Sequence, residues 1–248
     1  MMNETIRRMM NHRSIRKYTD QPISDELLRT IIGAAQMAAT SSNVQAYSVI
    51  HVKDQTLKDQ LAEYSGNKHV AECAAFLVWC ADLYRLREVY AMRYSDREPT
   101  NLHTTENMVV AITDVALAAQ NAAVAAESAG LGITYIGGIR NRIADVAELL
   151  GIPELVIPVY GMCLGYPDQT PILRPRLPQK AVLHENRYDD SSYREAIAEY
   201  DQAIEAYMRE RSGGKQITTW SQNMTNNLDA KARLHMKEFL ERQGFGLK

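Results

Sequence analysis

The chain has 248 residues, 46% hydrophobic and 23% charged, which fits one large globular domain or two small ones. A formal net charge of −2 lacks the basic footprint that nucleic acid demands. No uninterrupted apolar run approaches the ~18 residues of a membrane span, and no apolar signal segment follows Met1.

A short amphipathic segment opens the chain. Ser24 is placed to cap a helix with Asp25 and Glu26 in its first turn, where they oppose the positive end of the dipole. Leu27, Leu28, Ile31, Ile32 and Ala35 keep a 3.6-residue period along it. A strand is expected at 47–52, with Asp54 starting the next helix, and the apolar run 75–81 reads as a buried strand. From about 104 to 129 runs the longest helical signal, rich in Ala and closed by Gly130. With Ala on several faces it is expected to be buried and closely packed, at the centre of a dimer. Strands at 133–136 and 155–162 flank a helix at about 142–150, stopped by Gly151-Ile152-Pro153. Two late helices, about 192–211 and 226–243, flank Ser212-Gly213-Gly214-Lys215, whose glycine pair suggests a mobile loop. The order mixes α and β without βαβ alternation, so the class is α+β.

Four pieces carry chemistry. His12-Arg13-Ser14-Ile15-Arg16-Lys17-Tyr18 packs cations and hydroxyls together, donors that suit a phosphate. Thr40-Ser41-Ser42-Asn43-Val44-Gln45 follows a helix end and offers hydroxyls and amides. Tyr135-Ile136-Gly137-Gly138-Ile139-Arg140 ends a strand on a glycine pair. In Arg174-Pro175-Arg176 the proline keeps the backbone extended, so both guanidiniums stay available. Only Cys73, Cys80 and Cys163 occur as cysteines, without framework spacing, so reduced thiols and a cytoplasmic location are expected.

In that order and at those separations, the four pieces resemble the flavin-dependent nitroreductase family. The match is nearest its NADPH-dependent oxygen-insensitive nitroreductases and flavin reductases, and runs from about residue 5 to the C-terminus. The resemblance implies a central mixed sheet surrounded by helices, one domain over 1–248 with a C-terminal helical excursion from about 190, and an intertwined homodimer. It assigns His12, Arg13 and Ser14 to the phosphate and ribityl chain of FMN, and Arg16 to the pyrimidine edge of the ring. Thr40, Ser41, Ser42, Gln45, Asn67, Tyr135, Ile136, Gly137 and Gly138 would surround the ring, and Arg174 and Arg176 would close on the phosphate. Relatives usually carry the longer Gln where Asn67 stands. Arg211, Lys215 and Arg233 are the cations for the 2′-phosphate of NADPH, with NADH as an alternative donor. Gln216 stands where a second basic residue is usual. No side chain need act as acid or base, because the flavin carries the chemistry. Acceptors would be flavins, nitroaromatics, quinones or azo compounds, or a single dedicated disulfide or halogenated aromatic.

Other classes leave weaker traces. Gly161-Met162-Cys163-Leu164-Gly165 has the form of a nucleophile elbow with Cys for Ser, as in a cysteine hydrolase, yet Tyr166-Pro167 follows where a helix must start. The long Ala-rich helix and charged C-terminal helices would also suit a non-enzymatic interaction protein. Gly130-Leu131-Gly132 precedes a strand, whereas a dinucleotide fingerprint follows one. No metal site is expected, since His69, Cys73 and Cys80 lack ligand spacing.

Overall fold

The computed structural model describes residues 2–230 and 233–248. Its elements, in chain order, are α1 (Glu4–Met10), α2 (Asp25–Gln36), β1 (Tyr47–Val52), α3 (Gln55–Ser65), α4 (His69–Glu72), β2 (Ala75–Asp82) and α5 (Tyr84–Arg93). There follow α6 (Thr105–Ser128), β3 (Gly132–Ile136), α7 (Ile143–Leu149), β4 (Val156–Gly165), α8 (Tyr193–Ser212), α9 (Trp220–Asp229) and α10 (His235–Arg242). Two compact units are formed: residues up to 170 together with 233–248, and the described part of 171–232.

In the first unit the strands lie in the order β1-β2-β4-β3. All three pairings are antiparallel, where a mixed sheet was expected. The central strand β2 is buried at every residue, because helices cover both of its faces. Leu77, Trp79 and Ala81 point to the layer of α2 and α6 with Ile31, Val115 and Ala119. Phe76, Val78 and Cys80 point to the layer of α3, α4 and α7 with Leu61, Val70 and Val146. That double burial is why 75–81 is one continuous apolar run rather than an alternating one.

Local chemistry sets the element ends. Ser24 Oγ accepts the Leu27 N–H at 3.1 Å and Asp54 Oδ1 the Leu57 N–H at 3.1 Å, so both expected caps form. Thr104 caps α6. The strand expected at 155–162 runs on to Gly165, which puts the elbow-like Gly161–Gly165 inside β4. The late helix expected at 226–243 is instead two. A Thr219–Gln222 capping box starts α9 six residues earlier than expected, and Ala230 is extended at its end. The Asp229 carboxylate also opposes continuation, since it sits at the negative end of the helix dipole.

Segment 12–18 is laid across the sheet. Ile15 N–H donates to Ile133 O at 2.9 Å, Thr19 N–H to Tyr166 O at 2.9 Å, and Asp168 N–H to Lys17 O at 3.0 Å. Gly132 and Gly165 face each other in the β3–β4 register. A Cβ on Gly132 would lie 2.5 Å from Ile15, and one on Gly165 would lie 2.6 Å from the Tyr18 ring. Two opposed glycines thus clear the path of the cationic segment. Gly165→Ala is expected to cost about 1–3 kcal/mol by overpacking, read as a lower thermal midpoint; an unchanged midpoint would show that Tyr18 moves freely.

In the second unit, α8 carries α9 against it. The Ser221 N–H donates to Asp201 Oδ1 at 2.9 Å, and the Tyr200 and Trp220 rings lie 5.8 Å apart. Tyr200 O–H reaches Pro175 O at 3.0 Å and so anchors the Arg174–Arg176 stretch. Gly213 and Gly214 take left-handed conformations that close α8, with Gly214 N–H on Arg209 O at 2.8 Å. The glycine pair expected to mark mobility is a hydrogen-bonded helix end.

Candidate functional site

One group of the expected site residues assembles at the β3 end of the first unit. His12 Nδ1 pairs with Glu127 Oε1 of α6 at 2.5 Å. The neighbouring Arg13 guanidinium reaches only Asn11 O at 3.3 Å, and its Nε is buried with no acceptor among the described residues. A buried, unanswered guanidinium N–H is costly unless an acceptor arrives. Ser14 is half-buried beside it, while Arg16 is exposed and makes no ion pair among the described residues. This donor set fits a phosphate-bearing ligand.

Tyr135 and Ile136 end β3, and Gly137–Arg142 continues as a 3₁₀ turn. Tyr135 stacks edge-on against Tyr160 at 5.2 Å, and burial pushes both phenols above their usual range. A Cβ at Gly138 would lie 2.3 Å from Ser65 O and 2.6 Å from Asn67 Nδ2. Close packing on the end of α3 therefore requires glycine at this position. The Asn67 amide is committed in the same place, donating to Ser65 O at 2.7 Å. Arg140 donates to the Val159 carbonyl, at the irregularity where the β2–β4 register shifts beside Trp79. Burial and the nearby Arg233 push its guanidinium below the usual range. Arg233 precedes α10 rather than lying on it, and its Nε donates to Asn141 Oδ1 at 2.9 Å.

The Thr40–Gln45 loop lies elsewhere. Ser42, Asn43 and Gln45 adopt φ of 49°, 58° and 53°. Left-handed backbone costs a non-glycine residue about 1 kcal/mol or more, so something must over-determine the loop. Asp114, fully buried on α6, accepts the Ser41 N–H on Oδ1 at 3.1 Å and the Ala46 N–H on Oδ2 at 3.0 Å. Thr40 Oγ1 accepts the Gln45 N–H at 3.3 Å. From α5, Arg85 donates to Gln45 O at 3.1 Å and Tyr47 O at 3.3 Å.

A single chain does not unite the two groups. The loop precedes β1 and the Tyr135–Gly138 turn follows β3, which are opposite edges of the sheet. Three interstrand steps separate those strands, about 14 Å. Along α6, Asp114 and Glu127 stand about 20 Å apart at 1.5 Å per residue. Along its length α6 exposes Val109, Ile112 and Leu117, 52%, 36% and 44% accessible, on the face opposite its buried residues. Ile6, Met9 and Met10 of α1 are exposed as well. The helix is apolar and long enough to cross a membrane, but its other face is packed in the core around Asp114.

The second unit holds its own cations. Arg174 and Arg176 are exposed, with Arg176 donating to Arg174 O at 2.8 Å, and the Arg174 guanidinium lies 5.9 Å from the Tyr207 ring centre. Arg211 is exposed in the last turn of α8, and Lys215 follows the glycine pair. Gln216 is tied back, its N–H donating to Ser212 Oγ at 2.9 Å.

The elbow reading is overturned. Cys163 pairs across the sheet with Phe76 on one side and Thr134 on the other, is fully buried, and its thiol is pushed well up by that burial. A nucleophile needs the thiolate and access, and this thiol has neither. Sequence reasoning also missed Asp114, Glu127 and Arg85. The one available signal was a lone Asp within an Ala-rich helix, since a buried carboxylate demands partners.

A three-layer helix–sheet–helix unit with a cationic segment packed on the ends of β3 and β4 and a strained polar loop at the far edge defines a ligand-binding enzyme fold rather than a helical adaptor. The nitroreductase family matches residues 9–166, and the nitroreductase family C-terminal domain matches 174–248. The chain is 43% identical to FMN reductase (NADPH) of Bacillus subtilis, over 98% of this chain and 99% of that one. It is 39% identical to the oxygen-insensitive NADPH nitroreductase of Salmonella typhimurium, covering 98% and 99%. The structure of B. megaterium NfrA1 superposes with a TM-score of 0.94 at 46% identity, covering 98% of this chain and all of that one. The chain belongs to the nitroreductase family.

Proposed function

We propose that this chain is an FMN-dependent oxidoreductase that takes reducing equivalents from NADPH, with NADH as the poorer donor, and delivers them to flavins, nitroaromatics, quinones or azo compounds. The observation that carries the reading is the full-length likeness to an NADPH-dependent FMN reductase, at 43% identity. The unanswered Arg13 Nε supports it independently, because it calls for an anionic acceptor. Bound FMN supplies the hydride chemistry itself. Arg13 and Ser14 would offer donors to its phosphate, Arg174 and Arg176 are the second unit's candidates for the same group, and His12, paired with Glu127, would serve the ribityl chain. Arg16 contributes positive charge that favours a reduced, more negative ring. Ser41, Ser42 and Gln45 offer hydroxyl and amide groups to the ring from the strained loop, with Thr40 bracing it.

The working unit is a homodimer. Opposite sheet edges carry the two halves of the site, so a second copy must bring its loop to the first copy's Arg13 cluster, and the bare apolar faces of α6 and α1 suit that contact. Reduced thiols at Cys73, Cys80 and Cys163 suit a cytoplasmic enzyme. Donor and acceptor would use one site in turn, which predicts parallel double-reciprocal plots. Intersecting lines, or a purified protein that neither carries nor takes up FMN, would refute the proposal.

Arg211, Lys215 and Arg233 would read the 2′-phosphate that distinguishes NADPH. Arg211→Ala should lower kcat/KM for NADPH about ten-fold and leave NADH unchanged, from a charge-assisted contact of roughly 1.5–3 kcal/mol. An equal loss with both donors, in steady-state kinetics, would remove the assignment.

A further inference from the structure

We propose that Asp114 is a positioning residue for the flavin reaction, acting with Arg85 to hold the Ser41–Ala46 loop in its ligand-ready shape before any ligand binds. The proposal rests on the reading of that loop as part of the flavin site. The loop has every reason to relax: Ser42, Asn43 and Gln45 all sit at positive φ without being glycine. Its two ends are nevertheless fixed by one carboxylate, Oδ1 on the Ser41 N–H and Oδ2 on the Ala46 N–H. That carboxylate comes from the buried face of α6, the longest helix of the chain, so the loop is referred to the rigid core rather than to its neighbours. Arg85 grips the far side, donating to Gln45 O and Tyr47 O, and is itself oriented by Asp82. Neither Asp114 nor Arg85 need touch the ligand. Their effect is to supply in advance the ordering that a slack loop would require on binding.

The test compares Asp114→Asn and Arg85→Met, each alone and with Asn43→Gly. Asparagine keeps the volume of Asp114 but leaves one of the two backbone N–H groups facing an amide NH₂. The Arg85 side chain is 53% exposed, so Arg85→Met leaves the core untouched. Two readouts are taken on apoprotein: amide hydrogen exchange, and the Kd for added FMN. In Asp114→Asn, exchange at Ser41 and Ala46 should rise while Leu77 and Val78 in β2 keep their protection, and Kd for FMN should rise about ten-fold or more. Arg85→Met should weaken FMN several-fold. Asn43→Gly, which tolerates positive φ, should recover part of the affinity in either background. Unchanged loop exchange, a loosened loop with unchanged Kd, or no recovery by Asn43→Gly would each overturn the proposal. Should Asp114→Asn loosen β2 as well, an unaltered Kd in Arg85→Met would overturn it. A wild-type protein that binds no FMN defeats the flavin reading itself; wild-type binding with unaltered variants defeats the positioning role alone.

Discussion

Arg13→Ala will bind FMN at least ten-fold more weakly than the wild type and will fold normally. The Arg13 Nε is buried without an acceptor, and the guanidinium has one long contact, to Asn11 O at 3.3 Å. Little in the ligand-free protein depends on that group, and removing a buried N–H without an acceptor should leave the apoprotein no less stable. A phosphate oxygen would supply the missing acceptor, and a charge-assisted contact of about 1.5–3 kcal/mol converts to roughly ten- to hundred-fold in affinity. Titration of apoprotein by flavin fluorescence reads the effect. An unchanged Kd would mean that the phosphate is held elsewhere.

Leu117→Glu will produce a monomer that has lost its flavin. Leu117 lies at the middle of the outward face of α6, where Val109, Ile112 and Ala116 leave no charge to pair with a carboxylate. Around a two-fold axis the substitution would bury two like charges, at a penalty of several kcal/mol. Light scattering should then give the 28.0 kDa of one chain instead of twice that mass. Flavin loss is expected on the proposal that the Thr40–Gln45 loop of a second copy completes each site. A dimeric Leu117→Glu with full FMN content would place the interface on another face; a flavin-replete monomer would mean one chain completes the site.

The elements whose signals are local were legible in the sequence. Ser24 and Asp54 cap where expected, and β1 and α6 begin and end within a residue of the reading, because caps, alternation and Ala-rich runs act over a few residues. The failures share the opposite property. The antiparallel order of the sheet depends on which strands meet, and nothing within a strand records that. The expected helix 226–243 missed both the start that the Thr219–Gln222 capping box sets upstream of it and the end at Asp229 within it. At the site, the sequence marked the residues with free chemistry, Arg13 and Ser14 among them, but not the residues that place them. Glu127 is 115 positions from His12 and Asp114 is 73 from Ser41, separations at which only the folded chain makes a partner. At Gly138 the fold adds a demand that the sequence does not show, since Ser65 O and Asn67 Nδ2 leave no room for a Cβ.

The central claim is that the chain passes electrons from NADPH through a bound flavin to a flat acceptor. Anaerobic mixing of the purified protein with NADPH tests it most directly, followed by addition of a nitroaromatic. The visible flavin absorbance should bleach with NADPH, more slowly with NADH, and return when the acceptor is added. A protein that carries no flavin after reconstitution, or whose flavin band stays unchanged under excess NADPH, would contradict the account.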